Sequence, residues 1–254
     1  MCRTIALAAT ILALTATYAS ADEAPRKAGA AERTSAARLD PLGRAAFWAR
    51  EAELDSRDAE AGVALSQALR ALGRNDEAAA AAGKVLINTP DDIGALLEQA
   101  RSQIASGQGF FAIEPAERAA RLAPQDWRPA ALLAVALEQA ERDDEARVAH
   151  QRALTLAPAE PTVLSNAALY HAGHGELSQA ESMLRKAAAM PSASAQVRLN
   201  LVLVVGLQGR FDEAEALARK ELPPETVRAN MAWLKSRTSA TAATTRSWDA
   251  MRGS

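Results

Sequence analysis

The sequence predicts an all-α protein built as an α-solenoid, a row of similar helical hairpins stacked side by side. Three observations support this prediction: residue types recur every 34 positions, much of the 49% hydrophobic content is alanine, and aromatic residues make up only 4% of the 254 residues. Large side chains are too scarce for one thick globular core, whereas alanine-rich helices can pack at close range. We expect residues 41–237 to form about five full hairpins, a partial hairpin before them and a capping helix after them.

The 34-residue period is carried first by small residues. One set consists of Ala78, Ala112, Ala146, Ala180 and Ala214. A second set consists of Ser66, Ala100, Ala134, Ala168 and Val202. Small side chains at these places let the two antiparallel helices of a hairpin cross closely, where a bulkier group would cost about 1–3 kcal/mol of stability.

Turn and stop residues follow the same period. The turn between the two helices carries Gly73, Gly107, Gly175 and Gly209, with Glu141 in the remaining repeat. The second helix is closed by Pro90, Pro124 and Pro158, and by Pro191 one residue early. Glycine permits the left-handed backbone that ends the first helix, and proline cannot continue a helical hydrogen-bond ladder. This combination at a 34-residue spacing is the tetratricopeptide pattern.

Both ends of the repeat array carry helical patterns of their own. Residues 45–56 match the second helix of a partial hairpin, and residues 224–235 predict a final helix with Met231 and Leu234 facing inward. One irregularity is Pro115, which falls inside an expected second helix. Either that helix kinks or it begins late, with Pro115 in its first turn, and we favour the late start.

The N-terminus is typical of a cleaved signal peptide over residues 1–21. Arg3 precedes the apolar stretch Ile5–Thr17, and Ala19-Ser20-Ala21 forms a small-residue cleavage site. The apolar stretch is shorter than the roughly 20 residues that span a bilayer, so an uncleaved anchor is the less favoured alternative. Cleavage would remove Cys2, the only cysteine. We therefore expect a periplasmic protein whose mature form has no thiol.

Two further segments lack apolar periodicity. Residues 22–40 are rich in Ala, Glu, Lys and Arg and predict a flexible spacer, while residues 238–254 predict a disordered tail. A binding role for either segment stays open.

No pattern in the sequence indicates catalysis. The 29 basic and 31 acidic residues give no basic surplus for nucleic acid, and phosphate-binding loops and nucleophile motifs are absent from the sequence. His171, His174 and Glu176 could contribute to a zinc site, but a structural site needs four ligands, and surface residues are the favoured interpretation. We expect a non-enzymatic protein with no metal and no cofactor.

A protein-binding groove is the better candidate for a functional site. The first helix of each hairpin should line the concave face, and its second, fifth, sixth and ninth residues should point into the groove. These positions give the candidate residues Arg101, Arg128, Thr162, Ser165, Asn166, Leu169, Gln196, Asn200 and Leu203. Asn166 and Asn200 could bond the backbone of an extended peptide or could stabilise their own hairpins. The leucines are favoured as shared core, and Arg128 as a solvated residue of the first turn.

The last two repeats resemble a specific family. The segments 163–166, 180–188, 196–201 and 204–215 are followed by Leu222-Pro223-Pro224-Glu225 and Ala229-Asn230-Met231-Ala232-Trp233-Leu234. These segments are similar to the C-terminal half of the TadD family, the tetratricopeptide proteins of the Flp (tight adherence) pilus assembly machine. The likeness covers about 56–237, and residues 161–235 are its distinctive part.

The resemblance implies a scaffold that supports assembly of the pilus secretin and its partners at the outer membrane. Members of the family typically resemble lipoproteins, with a cysteine just after the apolar stretch, whereas Cys2 precedes it here. We therefore expect no direct lipid anchor, and any membrane association would come through partner proteins. The alternative is an adaptor or chaperone for another envelope machine, such as cytochrome maturation or polysaccharide export.

Overall fold

The computed structural model describes residues 26–252, and the side chains as far as residue 238. The signal peptide expected at residues 1–21 lies outside the described residues. Within the described range the chain is all helix and contains no strand. Its helices are α1 Ala30–Ala36, α2 Pro41–Leu54, α3 Ala59–Ala71, α4 Asn75–Asn88, α5 Ile93–Ala105, α6 Gly109–Leu122, α7 Trp127–Gln139, α8 Asp143–Leu156, α9 Pro161–Gly173, α10 Leu177–Ala188, α11 Ala195–Leu207, α12 Phe211–Ala218 and α13 Pro224–Arg252.

These helices form the predicted solenoid. Five antiparallel hairpins run from α3 to α12, and each hairpin packs against the next. We call the first helix of each hairpin A and the second helix B. Helix α2 packs on the first hairpin as the second helix of a partial repeat, and α13 packs on the last one. The fold class and the hairpin count predicted from the sequence are both confirmed.

The periodic small residues lie where the A and B helices cross. All five alanines of the first set are fully buried, and so are Ser66, Ala100, Ala134 and Ala168 of the second set. In the first hairpin the Ser66 hydroxyl also donates a hydrogen bond of 2.8 Å to the carbonyl of Ala78 in the opposite helix. Each crossing therefore leaves no room for a larger side chain.

The turn between A and B uses the predicted left-handed backbone. The four turn glycines have φ angles between 72° and 81°, and Glu141 adopts φ 56° in the third hairpin. Each A helix also begins at a side chain that accepts a backbone N–H of its first turn. These caps are Asp58, Asp92, Asp126, Glu160 and Ser194, again 34 residues apart. Capping satisfies N–H groups that the helix itself leaves unpaired.

Helix α6 does not begin late at Pro115, as the sequence suggested. It starts at Gly109, in register with the other B helices, and runs through Pro115. Ala112 and Ile113 are buried at the crossing and hold this register, so packing outweighs the one backbone hydrogen bond that proline removes. Gly109 allows the close approach of α7, because a Cβ atom there would lie 2.7 Å from the carbonyl oxygen of Ala136.

The described part of the 22–40 segment is ordered instead of forming a flexible spacer. Helix α1 buries Ala36 beside Trp48, and the Arg33 guanidinium lies 5.6 Å from the Trp48 ring. Arg33 also pairs with Asp58 and with Glu51, a carboxylate that is fully buried in α2. A buried carboxylate is costly unless it is paired, so Glu51 requires a partner from this segment. The sequence pattern missed this because the contacts come from a few residues without apolar periodicity, mainly Arg33, Ala36 and the backbone N–H of Ala28.

The C-terminal end also differs from the prediction. Helix α13 continues to Arg252, through most of the segment expected to be a disordered tail. Val227, Met231 and Leu234 anchor its first half on the last hairpin, as predicted for Met231 and Leu234, and Leu234 packs against Gly206 of α11. The alanines that follow favour continuation of a helix that is already nucleated. Among the described residues no helix is both long enough and apolar enough to cross a membrane.

A carboxylate joins the fourth hairpin to the fifth. Glu181 of α10 accepts hydrogen bonds from Gln208 at 2.8 Å and from Arg210 at 2.7 Å, both in the turn between α11 and α12, and from Arg185 in its own helix at 2.8 Å. Burial would raise the pKa of Glu181, but these hydrogen bonds outweigh it and lower the pKa to about 2. The charged form of Glu181 therefore stabilises the contact between the two hairpins.

Replacing Ala146 tests the crossing. Ala146→Glu places an unpaired charge and added volume at a fully buried position, and we expect a loss of at least about 3 kcal/mol in the free energy of unfolding. Val148→Glu is the matched control, because Val148 lies in the same helix but is 67% exposed. Thermal and urea unfolding, followed by circular dichroism, measure the stability of the two variants. Equal stability of the two variants would contradict the register.

Glu181→Gln tests the link between hairpins through its pH dependence. Since the folded pKa lies below the unfolded value, the stabilisation is present above about pH 4.5 and is lost as the pH falls towards about 2. We expect the free energy of unfolding of the wild type to exceed that of the variant by about 1–2 kcal/mol at pH 7 and by little at pH 2.5. Glu114→Gln, at an exposed residue with no ion pair among the described residues, is the control. A difference that does not change with pH would reject the assignment.

Candidate protein-binding groove

The five A helices form the inner wall of the solenoid. Consecutive A helices contact each other directly, from α3 through α5, α7 and α9 to α11, whereas within residues 26–252 consecutive B helices do not. The hairpins are therefore closer together on the A side than on the B side. This difference in spacing curves the stack and places a groove along the A helices.

The predicted groove residues differ in how far they reach the surface. Thr162 and Gln196, both on second positions, are exposed. Leu169 is half-buried, and Leu203 is half-buried against the core of the last two hairpins, which agrees with the shared-core interpretation for Leu203. Ser165, in contrast, is only 2% exposed and does not line the surface.

Ser165 is buried because Asn200 covers it. The Asn200 amide nitrogen donates to the Ser165 hydroxyl at 2.9 Å, and the Asn200 carbonyl oxygen accepts from Gln196 at 2.9 Å. Both functional groups of Asn200 are thus used inside the protein, between α9 and α11. Asn200 therefore stabilises the protein internally, but it joins the fifth hairpin to the fourth instead of stabilising its own hairpin, as the second alternative expected.

Asn166 is different, although it holds the same position one repeat earlier. It is half-buried, and its side chain makes no hydrogen bond to any other described residue. An asparagine side chain can both donate and accept, so Asn166 can pair with the backbone of an extended peptide in the groove. Of the two asparagines, only Asn166 has a side-chain donor and acceptor that other described residues leave unused.

Arg128 is held by the residue that caps its own helix. Its Nε and Nη2 atoms lie 2.8 and 2.6 Å from Oδ2 of Asp126, and Oδ1 of Asp126 accepts the backbone N–H of Arg128. The Arg128 hydrogen bonds lower the pKa of Asp126 below its usual value. Arg128 is exposed in the first turn, but its guanidinium pairs with Asp126 instead of being only solvated.

Arg101 belongs to a cluster that sequence reasoning missed in part. Glu98, on the sixth position of its repeat, is 1% exposed, and its two oxygens bind Arg101 Nη1 at 2.6 Å and Arg70 Nε at 3.1 Å. Glu98 precedes Asn166 by two whole repeats, so the same register count identifies it. Arg70 lies one turn beyond the counted positions of α3, and only the packing of α3 on α5 reveals it.

All three histidines gather around one tyrosine, where the third and fourth hairpins meet. The Tyr170 ring centre lies 5.1 Å from that of buried His150 and 4.2 Å from that of His174. His171 Nδ1 contacts Glu176 and its Nε2 contacts Gln179. Among residues 26–252 no group of three or more His, Cys, Asp or Glu side chains has the geometry of a metal site. These contacts are typical of side chains that pack at the interface between two hairpins.

A separate cleft of about 750 Å³ lies near the N-terminal end, between α2 and the first hairpin. Alanines such as Ala46, Ala49 and Ala80 form much of its wall, and Gly62 lies at its base. The cleft exists because these small side chains leave space between α2, α3 and α4. Its charged residues lie among these apolar ones without forming a catalytic constellation.

Comparison with known proteins supports the fold. No known family profile matches the sequence, and no curated protein matches it. Among solved structures, TTC0263, a thermophilic tetratricopeptide-repeat protein of Thermus thermophilus, is 25% identical; the likeness covers 69% of this chain and 97% of that one, with a TM-score of 0.63.

Two other structures are more distant in sequence. A tetratricopeptide-repeat protein of Parabacteroides merdae ATCC 43184 is 11% identical over 81% of this chain and 80% of its own, with a TM-score of 0.66. MamA of Desulfovibrio magneticus RS-1 is 22% identical over 62% of this chain and 89% of its own, with a TM-score of 0.54. At these identities the likeness concerns the fold: the chain is a tetratricopeptide-repeat solenoid, an architecture suited to binding other proteins.

The two groove asparagines should separate in a stability measurement. Asn200→Ala removes the partner of the buried Ser165 hydroxyl, and we expect a loss of about 1 kcal/mol in the free energy of unfolding. Asn166→Ala should change stability by less than about 0.5 kcal/mol, because no internal hydrogen bond is lost. Urea unfolding of both variants measures the difference. A larger loss for Asn166→Ala than for Asn200→Ala would contradict this assignment.

Proposed function

We propose that this protein is a non-enzymatic periplasmic scaffold that binds proteins of the Flp (tight adherence) pilus assembly complex through the groove of its A helices. The observation that carries the binding role is the groove itself, a continuous wall of five A helices. Its C-terminal part presents uncharged polar groups such as Asn166, Thr162 and Gln196. Such a surface suits an extended segment of another protein better than a small substrate, which needs an enclosed pocket with convergent polar groups.

Two sequence features support the location and the pilus role. The signal-peptide pattern of residues 1–21 favours export, and Ala19-Ser20-Ala21 favours cleavage. Residues 161–235 supply the TadD-like segments, and in the fold they form the last two hairpins and the start of α13. A secretin assembly at the outer membrane is a partner of the kind that these features imply, with membrane association through that partner.

Deleting the gene tests the pilus role. We expect loss of surface pili and of adhesion, restored by the full-length chain but not by a chain that lacks residues 1–21, because that chain stays on the wrong side of the inner membrane. Electron microscopy and an adhesion assay measure the effect. The complementing chain with Val148→Glu controls for expression, since this change lies on an exposed surface outside the groove.

Normal piliation in the deletion strain would reject the pilus role. A gene neighbourhood with a secretin, a prepilin peptidase and a secretion ATPase would support it. A neighbourhood that encodes another envelope machine would favour the adaptor alternative, in which the same groove serves a different assembly.

A further inference from the structure

Two arginines in the groove share one buried carboxylate. Glu98 lies in α5 with only 1% of its side chain exposed, and it binds Arg101 of the same helix and Arg70 of α3. The two arginine side chains are 30% and 35% exposed. Glu98 therefore lies beneath the surface and holds two guanidinium groups at the wall of the groove.

The cluster retains unused hydrogen-bond donors and positive charge. Arg70 uses only its Nε–H and Arg101 only its Nη1, so several N–H groups on each have no partner among the described residues. Asp126 is close enough to interact with Arg101, but Arg128 binds it bidentately. Arg70 and Arg101 thus share one carboxylate, which leaves one net positive charge at this point of the groove.

Beyond Arg101, the ninth positions of the following A helices carry no charge. The ninth positions of successive A helices are Arg101, Val135, Leu169 and Leu203, spaced by 34 residues. The three aliphatic members are half-buried and so present part of their surface to a ligand. Nucleic acid would require cations along the whole groove, and among the described groove positions they occur only on α3, α5 and α7.

We propose, building on the proposed function, that the groove binds an extended protein segment with a carboxylate at Arg70 and Arg101 and a large apolar side chain near Leu169. Guanidinium groups bind carboxylates through paired, charge-assisted hydrogen bonds, and Glu98 fixes these groups before the ligand arrives. Asn166, beside Leu169 on the next position of the groove wall, pairs with the backbone of the segment.

The spacing between the two contacts sets the spacing in the ligand. Arg101 lies in α5 and Leu169 in α9, two A helices further along, and packed helices are about 10 Å apart. The contacts are thus separated by roughly 20 Å, which an extended chain covers in about six residues. The recognised segment should carry Asp, Glu or a terminal carboxylate about six residues away from Leu, Ile, Val or Phe.

Peptide selection tests this proposal. Random 12-residue peptides are displayed and selected on the protein, and the best peptide is then measured by fluorescence anisotropy. We expect enrichment of an acidic residue about six positions from an apolar one. Changing that acidic residue to its amide should weaken binding at least tenfold, and salt should weaken binding of the acidic peptide more than binding of the amide.

The protein variant must remove the cluster without leaving an unpaired charge. Arg70→Gln with Glu98→Gln and Arg101→Gln removes two positive charges and one negative charge together. Arg147→Gln, on an exposed residue of α8 outside the groove, changes the net charge by the same amount and is the matched control. We expect the triple variant to bind the acidic peptide and its amide equally, and the control to behave like the wild type.

Several outcomes would overturn the proposal. The first is a selection that does not enrich acidic residues. The others concern the acid-to-amide effect, which is the loss of affinity when the acidic residue of the peptide becomes its amide. That effect would contradict the proposal if it persisted in the triple variant or disappeared in the Arg147→Gln control. Far-ultraviolet circular dichroism of the triple variant shows whether it is folded. If it is not, Arg101→Lys alone should still reduce the acid-to-amide effect, because an ammonium group cannot reproduce bidentate binding. A failure here leaves the piliation test untouched, so the two proposals can fail separately.

Discussion

The close crossing of two helices within each hairpin is the contact on which the rest of the structure depends. At four of the five crossings a fully buried alanine of helix B, such as Ala112 or Ala146, faces a small residue of helix A, such as Ala100 or Ala134. In the fifth hairpin Val202 takes that place. The short distance lets the hairpin stack as a thin unit, and the 34-residue spacing repeats that unit with nearly the same geometry. Curvature then follows, because A helices touch along the inner wall and, within residues 26–252, B helices do not.

Buried carboxylates connect units that small residues alone would leave weakly joined. Glu51 ties the N-terminal segment to α2, Glu98 ties the first hairpin to the second, and Glu181 ties the fourth hairpin to the fifth. In each case an arginine from a neighbouring element supplies the opposite charge. An alanine-rich interface contributes little directionality, whereas a buried ion pair with hydrogen bonds specifies which groups must meet.

These connections also shape the groove. Glu98 and Asn200 hold corresponding positions in different repeats, and both use their polar groups to join adjacent A helices. Around Asn200 the polar atoms are satisfied internally, which leaves a neutral surface. Around Glu98 two arginines meet one carboxylate, which leaves unused donors and positive charge. The groove therefore has a cationic cluster around Glu98 and a neutral, partly apolar C-terminal part, although one repeat pattern generates both.

The sequence by itself determined the hairpin architecture, because the small residues, turn glycines and closing prolines act within one repeat and recur with a fixed period. It also predicted, from their place in the repeat, that Arg101 and Asn166 lie on the groove side of their A helices. The tertiary structure alone decided which groove residues are free: Asn200 and Asn166 are equivalent in register, but only Asn200 meets Ser165 and Gln196. It likewise decided that Arg33 and Ala36 pack the N-terminal segment on α2 and α3, and that Arg70 joins the groove. Such contacts join residues of different repeats or elements, so they depend on packing distances that a local pattern does not encode.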